Sequence, residues 1–549
     1  MLLRGFTSLM LLSLIPLVDL AAVKQSGYFN LSVVHVNDFH ARFDQTSDSG
    51  GNCKESDKCI GGFSRLYKQI RNILDKNPAS LLLNAGDNFQ GTLWYTIGKW
   101  NVTQQLLNKL PFDAFVLGNH EFEDKIEGLI PFINALNSPV VVSNIDASLE
   151  PRLQGLYTKS TIVERNGKKI GIIGVIAANT NTIADTGKLK FLPESPSVNF
   201  EAERLVKEEG VFTNIVLSHS GYDVDQTIAA NASEKISLIV GGHTHTFLYT
   251  GDNPPGPEHV EGPYPTVVTS KNRKKVLIVQ ASSFCRYLGN ITIFLDENGE
   301  IANYSGEPIF LDNTLSQDAS INQELLPWKT LVDSQGNVVL GSSLVTLDVG
   351  KCRYSECTFG NLVADAMVYS WTNNADDAWT YAAIAAVTPG GIRTDIPSGN
   401  ITYNDLIISV PYSNTFDVAE IQGKHIIDML EYNALPYYTN GALTTLKLMQ
   451  FSGIHVVFNL SHPEGDRVQS AKIRCQACKI PIYEDLDLNR TYKIVVTSYL
   501  VSGGDGYAVV SDNLKNVQVG KLDVDALADY ITHRSPIFEE EGDRIVIYR

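Results

Sequence analysis

An aspartate and a histidine two residues apart, Asp38-Phe39-His40, open a series that continues through Gly86-Asp87-Asn88, Gly118-Asn119-His120-Glu121, Ser218-His219 and Gly242-His243-Thr244-His245. Carboxylates, imidazoles and one amide in this order make a donor set for two divalent ions. Two such ions, about 3.5–4 Å apart, need a bridging carboxylate and a shell of oxygen and imidazole ligands. Asp87, alone after an apolar run, suits the bridge. Asp38 and His40 can both leave a strand end toward one ion. His243 and His245 have the same spacing and can split between the two. Asn119 offers a neutral oxygen, which limits the negative charge facing a phosphate, and His219 completes the second ion. The ions would polarise phosphoryl oxygens and bring the pKa of a bound water toward ~7. His120, beside a ligand, is placed to stabilise a transition state or to protonate a leaving group, and Glu123 is near enough to orient it. A single Asp or His at a strand end is usually structural; the ordered set is what predicts phosphoester hydrolysis.

Most of these groups follow an apolar, β-branched run: Leu31–Val36, Leu81–Leu83, Ala114–Leu117, Ile215–Leu217 and Ile236–Val240. Such runs predict buried strands. Each polar group therefore stands where a strand hands over to a loop, the edge at which open α/β sheets bind ligands. Between the strands lie amphipathic stretches such as Phe63–Leu74, with Phe63, Leu66, Tyr67, Ile70 and Leu74 on one face. The pattern from about residue 28 to 295 predicts a layered α/β domain whose last strands are Val276–Gln280 and Ile291–Leu295. Residues 315–335 predict an exposed connecting helix followed by Asp333–Gly336. A second domain from 336 to the end carries strands near Ala382–Val387, Thr415–Ile421, Ile454–Phe458 and Tyr492–Thr497. The fold class is α/β with two domains: a leader at 1–22, a phosphoesterase domain at 23–314, the linker helix at 315–335 and a C-terminal substrate domain at 336–549.

With 549 residues the chain is too long for one core. Its net charge of −17 disfavours a nucleic-acid backbone as partner, because no broad basic face is available to displace counterions. A nucleotide remains compatible, since a few local cations can hold it. Residues 1–22 predict a secretory signal: Arg4 gives a positive start, Leu9–Val18 is apolar, and Ala21-Ala22 are small. That run is too short for a membrane anchor. The C-terminus lacks the pattern of a lipid-anchor signal, so a secreted, soluble protein is expected. Seven cysteines fit an oxidising compartment. Cys53/Cys59, Cys352/Cys357 and Cys475/Cys478 form close pairs that predict three local disulfides and leave Cys285 free. A zinc knuckle at Cys475/Cys478 would need a second ligand pair nearby. N-x-S/T sequons at Asn30, Asn101, Asn231, Asn290, Asn303, Asn400, Asn459 and Asn489 are glycosylation candidates.

From Val34-His-Val-Asn-Asp-Phe-His40 to Gly503-Gly-Asp-Gly506, the chain resembles the metallophosphoesterases of the 5′-nucleotidase family. The resemblance implies a calcineurin-like N-terminal domain with two metals, commonly zinc, and a C-terminal domain that holds the nucleoside, the two rotating relative to one another. Calcium, magnesium or manganese are possible activators. It implies Asp38, His40, Asp87 and His245 for the first metal, Asp87, Asn119, His219 and His243 for the second, and His120 as catalytic histidine. It implies phosphate contacts from Arg353 and Arg393, whose forked guanidinium suits phosphate oxygens. Tyr412, after Pro411, and Tyr499 match the aromatic pair that sandwiches the base, and Asp505 matches a ribose contact. Two departures stand out. Glu123 replaces an aspartate that partners the catalytic histidine, with Asp124 next door. Thr388-Pro389 replaces the Asn-Gly that usually precedes Gly390-Gly391-Ile392-Arg393, which removes an asparagine contact to the nucleoside.

The stretches Asn84–Tyr95 and Glu261–Thr266 look most like salivary apyrases of blood-feeding arthropods. That likeness implies hydrolysis of extracellular ATP and ADP to AMP, and inhibition of ADP-driven platelet aggregation. The alternatives are a secreted 5′-nucleotidase that converts AMP to adenosine, and a nucleotide-binding or adhesive protein without catalysis. The complete ligand set and the absence of an Arg-Gly-Asp triplet argue against the latter.

Overall fold

The computed structural model describes residues 27–549 except 47–52, 54–57, 234, 259, 373–377, 411, 413, 440–441 and 502. The expected leader and Pro411 lie outside the described residues. The apolar runs form strands, and they assemble into two facing six-stranded sheets. In the first, Phe29–Val36 pairs antiparallel with Tyr287–Leu295 and parallel with Leu81–Asn84, which pairs parallel with Ala114–Phe115. In the second, Lys168–Ile176, Thr213–His219, Ile236–Val240 and Lys275–Val279 run parallel as neighbours. Near-continuous Val/Ile/Leu runs suit such strands, which are buried on both faces.

Parallel register decides where the polar groups go. Val36 stands opposite Asn84, and Asn84 opposite Phe115. In the other sheet Leu217 stands opposite Val240, and Val240 opposite Val279. The C-terminal ends of both sets are thus level, and the loops that follow them share one edge of the sandwich. Val34, Leu83, Val116, Ile172, Leu217, Leu238 and Leu277 are all buried in one core built around these sheets.

The connecting helix spans Ala319–Gly336 and absorbs Asp333–Gly336, which the composition placed after it. Asp318 caps its start by accepting hydrogen bonds from the backbone N–H groups of Ser320 and Ile321, 2.9 and 3.2 Å. The helix is not simply exposed. Ile321, Leu325 and Val332 share a buried stripe against the first domain, while Leu326 and Leu331 face solvent. Trp328 Nε1 donates to Gln105 Oε1 at 2.7 Å, and Lys329 pairs with Asp44 at 3.0 Å. Among the described residues, no helix is long and apolar enough to cross a membrane.

The second domain is built on a five-stranded sheet in the order Gln450–Ser452, Ile384–Val387, Thr491–Thr497, Phe416–Gln422, Lys515–Gln518. Helices Thr358–Tyr369 and Asp523–Arg534 pack in one core with it, and Gly423–Asn433 packs in another. Disulfides join Cys53–Cys59, Cys352–Cys357 and Cys475–Cys478, as the spacing predicted, and Cys285 is a buried free thiol.

Candidate active site

At the level strand ends, two groups of donors meet. Asp38, His40 and His245 form one; Asp87, His219 and His243 form the other. In each group the donor atoms lie within 4.8 Å of one another. Asp87 links them: its Oδ2 is 3.0 Å from His219 Nε2 and 3.9 Å from His40 Nε2. Asn119 joins the second group, with Oδ1 2.8 Å from His243 Nδ1. All seven residues singled out as metal ligands are therefore brought together.

The local backbone is shaped for this. Asp38, His40, Asp87, His243 and His245 have φ of 48°, 50°, 51°, 81° and 56°. A non-glycine residue there costs on the order of 1–3 kcal/mol and persists only where its surroundings hold it. The holding contacts are visible. Glu121, buried, accepts hydrogen bonds from the backbone N–H of Gly118, Asp87 and Asn88 at 2.6, 2.9 and 2.7 Å. Asp38 accepts from the His243 backbone at 2.9 Å and from Asn37 Nδ2 at 2.8 Å. Glu121 and Asn37 fall inside the sequence motifs without a role of their own there. Their signal was only adjacency to a ligand.

The donors fit divalent ions. His219 Nδ1 donates to the Ala85 carbonyl at 2.7 Å, so a neutral ring turns the lone pair of Nε2 toward the Asp87 carboxylate. That buried Nε2 has no aligned hydrogen bond. His40 Nδ1 donates to the Phe89 carbonyl at 3.2 Å, which leaves its Nε2 lone pair 3.0 Å from His245 Nε2. Acceptors facing acceptors call for cations between them, and a second hydrogen bond that fixes each ring is usual for a ligating histidine. Burial, followed by the neighbouring histidines, lowers His40 well below the usual imidazole range, His243 to about 3 and His245 to about 4. These rings are neutral, the ligating form. Burial raises Asp38 to about 7. Burial also pushes Asp87 upward, but the surrounding histidines, His219 foremost, outweigh it and hold the carboxyl well below its ordinary value. Burial lowers His219, and the Asp87 charge more than reverses this, to about 10, so without an ion a proton holds the place on Nε2 that a metal would take.

His120 stands beside the pair, its ring centroid 5.2 Å from that of His40. Its backbone N–H donates to Asp87 Oδ1 at 2.9 Å, and its Nδ1 is 2.5 Å from Glu123 Oε1. Burial alone would lower the ring; the Asp87 charge and the Glu123 hydrogen bond outweigh it and lift His120 to about 9. Asp124 is engaged elsewhere, accepting from Tyr95 at 2.6 Å and pairing with Lys99 at 3.1 Å. Glu123 is the carboxylate that reaches His120.

The residues singled out in the second domain fall into two sets. Tyr499 donates through its hydroxyl to Asp505 Oδ1 at 3.0 Å and accepts from the Asp505 backbone at 3.0 Å. The point where a side chain on Gly390 would begin lies 3.5 Å from Asp505 Oδ2 and 3.6 Å from Arg353 Nη2, so these three adjoin. The Arg393 guanidinium lies 5.9 Å from the Tyr412 ring centre. Tyr412 and Tyr499 are exposed. Thr388 is buried, with its carbonyl accepting from Gly391 N at 3.2 Å. Of the sequon asparagines, Asn30, Asn101, Asn231, Asn303, Asn400 and Asn489 are exposed, and Asn290 and Asn459 half-buried.

Comparison with known proteins agrees with both halves. Residues 31–247 match the calcineurin-like phosphoesterase model, and residues 338–512 match the 5′-nucleotidase C-terminal domain. The chain is 47% identical over 520 residues to an apyrase of Tabanus yao, covering 94% of each chain. It is 36% identical to the 5′-nucleotidase of Rattus norvegicus, covering 98% of this chain and 93% of that one. A 5′-nucleotidase precursor from Thermus thermophilus superposes with a TM-score of 0.65 at 31% identity, covering 95% of this chain and 99% of that one. Two matched domains in the same order, and relatives aligned over nearly the full length, establish that the chain belongs to the 5′-nucleotidase and apyrase family of metallophosphoesterases.

Proposed function

We propose that the chain is a secreted apyrase that hydrolyses ATP and ADP to AMP and phosphate with two divalent ions, zinc in the first instance. The observation that carries this reading is the meeting of the two donor groups around Asp87. Asp38, His40, Asp87 and His245 would hold one ion, and Asp87, Asn119, His219 and His243 the other. Bound there, the ions supply Lewis acidity toward phosphoryl oxygens and acidify a water.

The chain's own residues do the remaining work. Glu123 fixes His120 through Nδ1 and favours its protonated form. His120 then gives a proton to the oxygen that leaves phosphorus as the water oxygen bonds on the opposite side. Arg353 and Arg393 hold phosphate oxygens, Tyr412 and Tyr499 flank the base, and Asp505 holds the ribose. Buried Thr388 and rigid Pro389 shape the loop before Arg393 and lack an asparagine anchor for the nucleoside. AMP depends most on that anchor, whereas ADP and ATP have further phosphates to share.

The domain limits we assign are 23–314 and 336–549, joined by 315–335. Three disulfides and eight sequons support secretion, and removal of ADP would restrain platelet aggregation. A second reading, a 5′-nucleotidase acting on AMP, is favoured by the likeness to the rat protein. Asp87→Ala tests the site common to both readings. It should abolish phosphate release from every nucleotide, as should a chelator on the native protein. Substantial turnover by Asp87→Ala, or by chelated and dialysed protein, would overturn the two-metal reading.

A further inference from the structure

We propose that Gln280 is a positioning residue for both metal groups, acting through the loop that carries His243 and His245. Gln280 follows the strand Lys275–Val279, whose Val279 is the parallel neighbour of Val240. Its side chain is fully buried and spends both ends of its amide on one loop. Oε1 accepts from the Thr246 backbone N–H at 2.5 Å and from Thr244 Oγ1 at 3.3 Å. Nε2 donates to the Gly242 carbonyl at 2.8 Å. Gly242, Thr244 and Thr246 are the alternate members of the run Gly242-His243-Thr244-His245-Thr246, and the two between them are the histidines. The clamp thus grips the loop on either side of each imidazole. It also offsets a local cost, because His243 and His245 both sit at positive φ. An ionised glutamate could not replace it, having no donor for the Gly242 carbonyl.

The next residues of the same segment reach the other ligand strand. The Ala281 N–H donates to Asn37 Oδ1 at 3.1 Å, and Asn37 donates to Asp38 Oδ2 at 2.8 Å. The Phe284 N–H donates to the Asp38 carbonyl at 2.8 Å. His245 and Asp38 belong to one donor group and His243 to the other, so residues 280–284 brace both. This segment lies beyond residue 247, where the match to the calcineurin-like phosphoesterase model ends. A lone glutamine after an apolar strand carries no motif, and its role is set only by the fold.

The inference rests on the reading of His243 and His245 as metal ligands, and its test separates the two claims. The probe is zinc alone, titrated into the metal-stripped full-length chain against a chromophoric chelator. Gln280→Leu keeps the volume and removes the hydrogen bonds; Gln280→Asn keeps an amide that is too short to span the loop. Zinc affinity should fall about ten- to a hundredfold in Gln280→Leu, with a smaller loss in Gln280→Asn. At saturating zinc, kcat should recover and KM for ADP should stay within about twofold of the native value. The metal-free melting temperature of both variants should fall slightly as the loop loses its clamp; such a fall with native zinc affinity would mark a purely structural glutamine. If Gln280→Leu fails to fold, Gln280→Asn decides alone. His245→Ala is the reference. Unchanged zinc binding there would overturn the ligand reading itself. Weakened binding there, with native affinity in the Gln280 variants, would overturn the role of Gln280 alone.

Discussion

Single residues of the site divide into those that would hold ions and those that would act on substrate. Glu123 and His120 belong to the second kind. The Asp87 charge and the 2.5 Å contact with Glu123 together keep the imidazole charged. Glu123→Ala should leave the metal content unchanged and lower kcat by about 10²-fold. The sign of its pH effect follows from the raised pKa. A protonated His120 is present below that pKa and lost above it, so removing Glu123 should move the alkaline limb of kcat to lower pH. An unmoved limb, read from a pH–rate profile, would contradict the pairing. Arg393 sits in the other domain, beside Tyr412. Arg393→Ala should raise KM for ADP about ten- to a hundredfold, the worth of a charged hydrogen bond, while both metals stay bound. Metal analysis beside a substrate titration checks this; loss of metal in that variant would contradict the assignment.

At the scale of elements, level strand ends do most of the organising. Each ligand motif was legible because it follows a Val/Ile/Leu run, and parallel register then brings Asp38, Asp87, His219 and His243 to one edge. What remained hidden was how the loops are held. Glu121 binds three backbone N–H groups, which depends on the path of loops that composition does not describe. Asp124 adjoins Glu123 in sequence, and only the fold gives it to Tyr95 and Lys99. The connecting helix was legible in position and misread in exposure. Its polar composition masks the spacing of Ile321, Leu325 and Val332, whose burial depends on a partner surface far away in sequence. Gln280 belongs to the same class of residue, specified by tertiary contacts alone.

At the scale of the whole molecule, two domains each keep their own core, and the short-range disulfides brace loops rather than join domains. Cys285 is the exception to the pairing and lies deep in the first domain. Burial pushes its thiol up to about 12, so the thiolate at pH 8 is on the order of one part in ten thousand. The native protein should resist alkylation and take up one equivalent once denatured, as mass spectrometry of labelled peptides would show. Rapid labelling of the folded protein would contradict the buried placement. In the proposed reading both domains are needed: the metal edge would supply the chemistry, and the loop at Thr388-Pro389 would set which phosphate chain is held. Phosphate release from ADP and AMP, measured side by side in the same metal-loaded preparation, tests it most directly. For an apyrase, kcat/KM for ADP should exceed that for AMP at least about tenfold, roughly 1.4 kcal/mol in transition-state binding. Equal efficiency on AMP would contradict the apyrase reading and make the protein a 5′-nucleotidase.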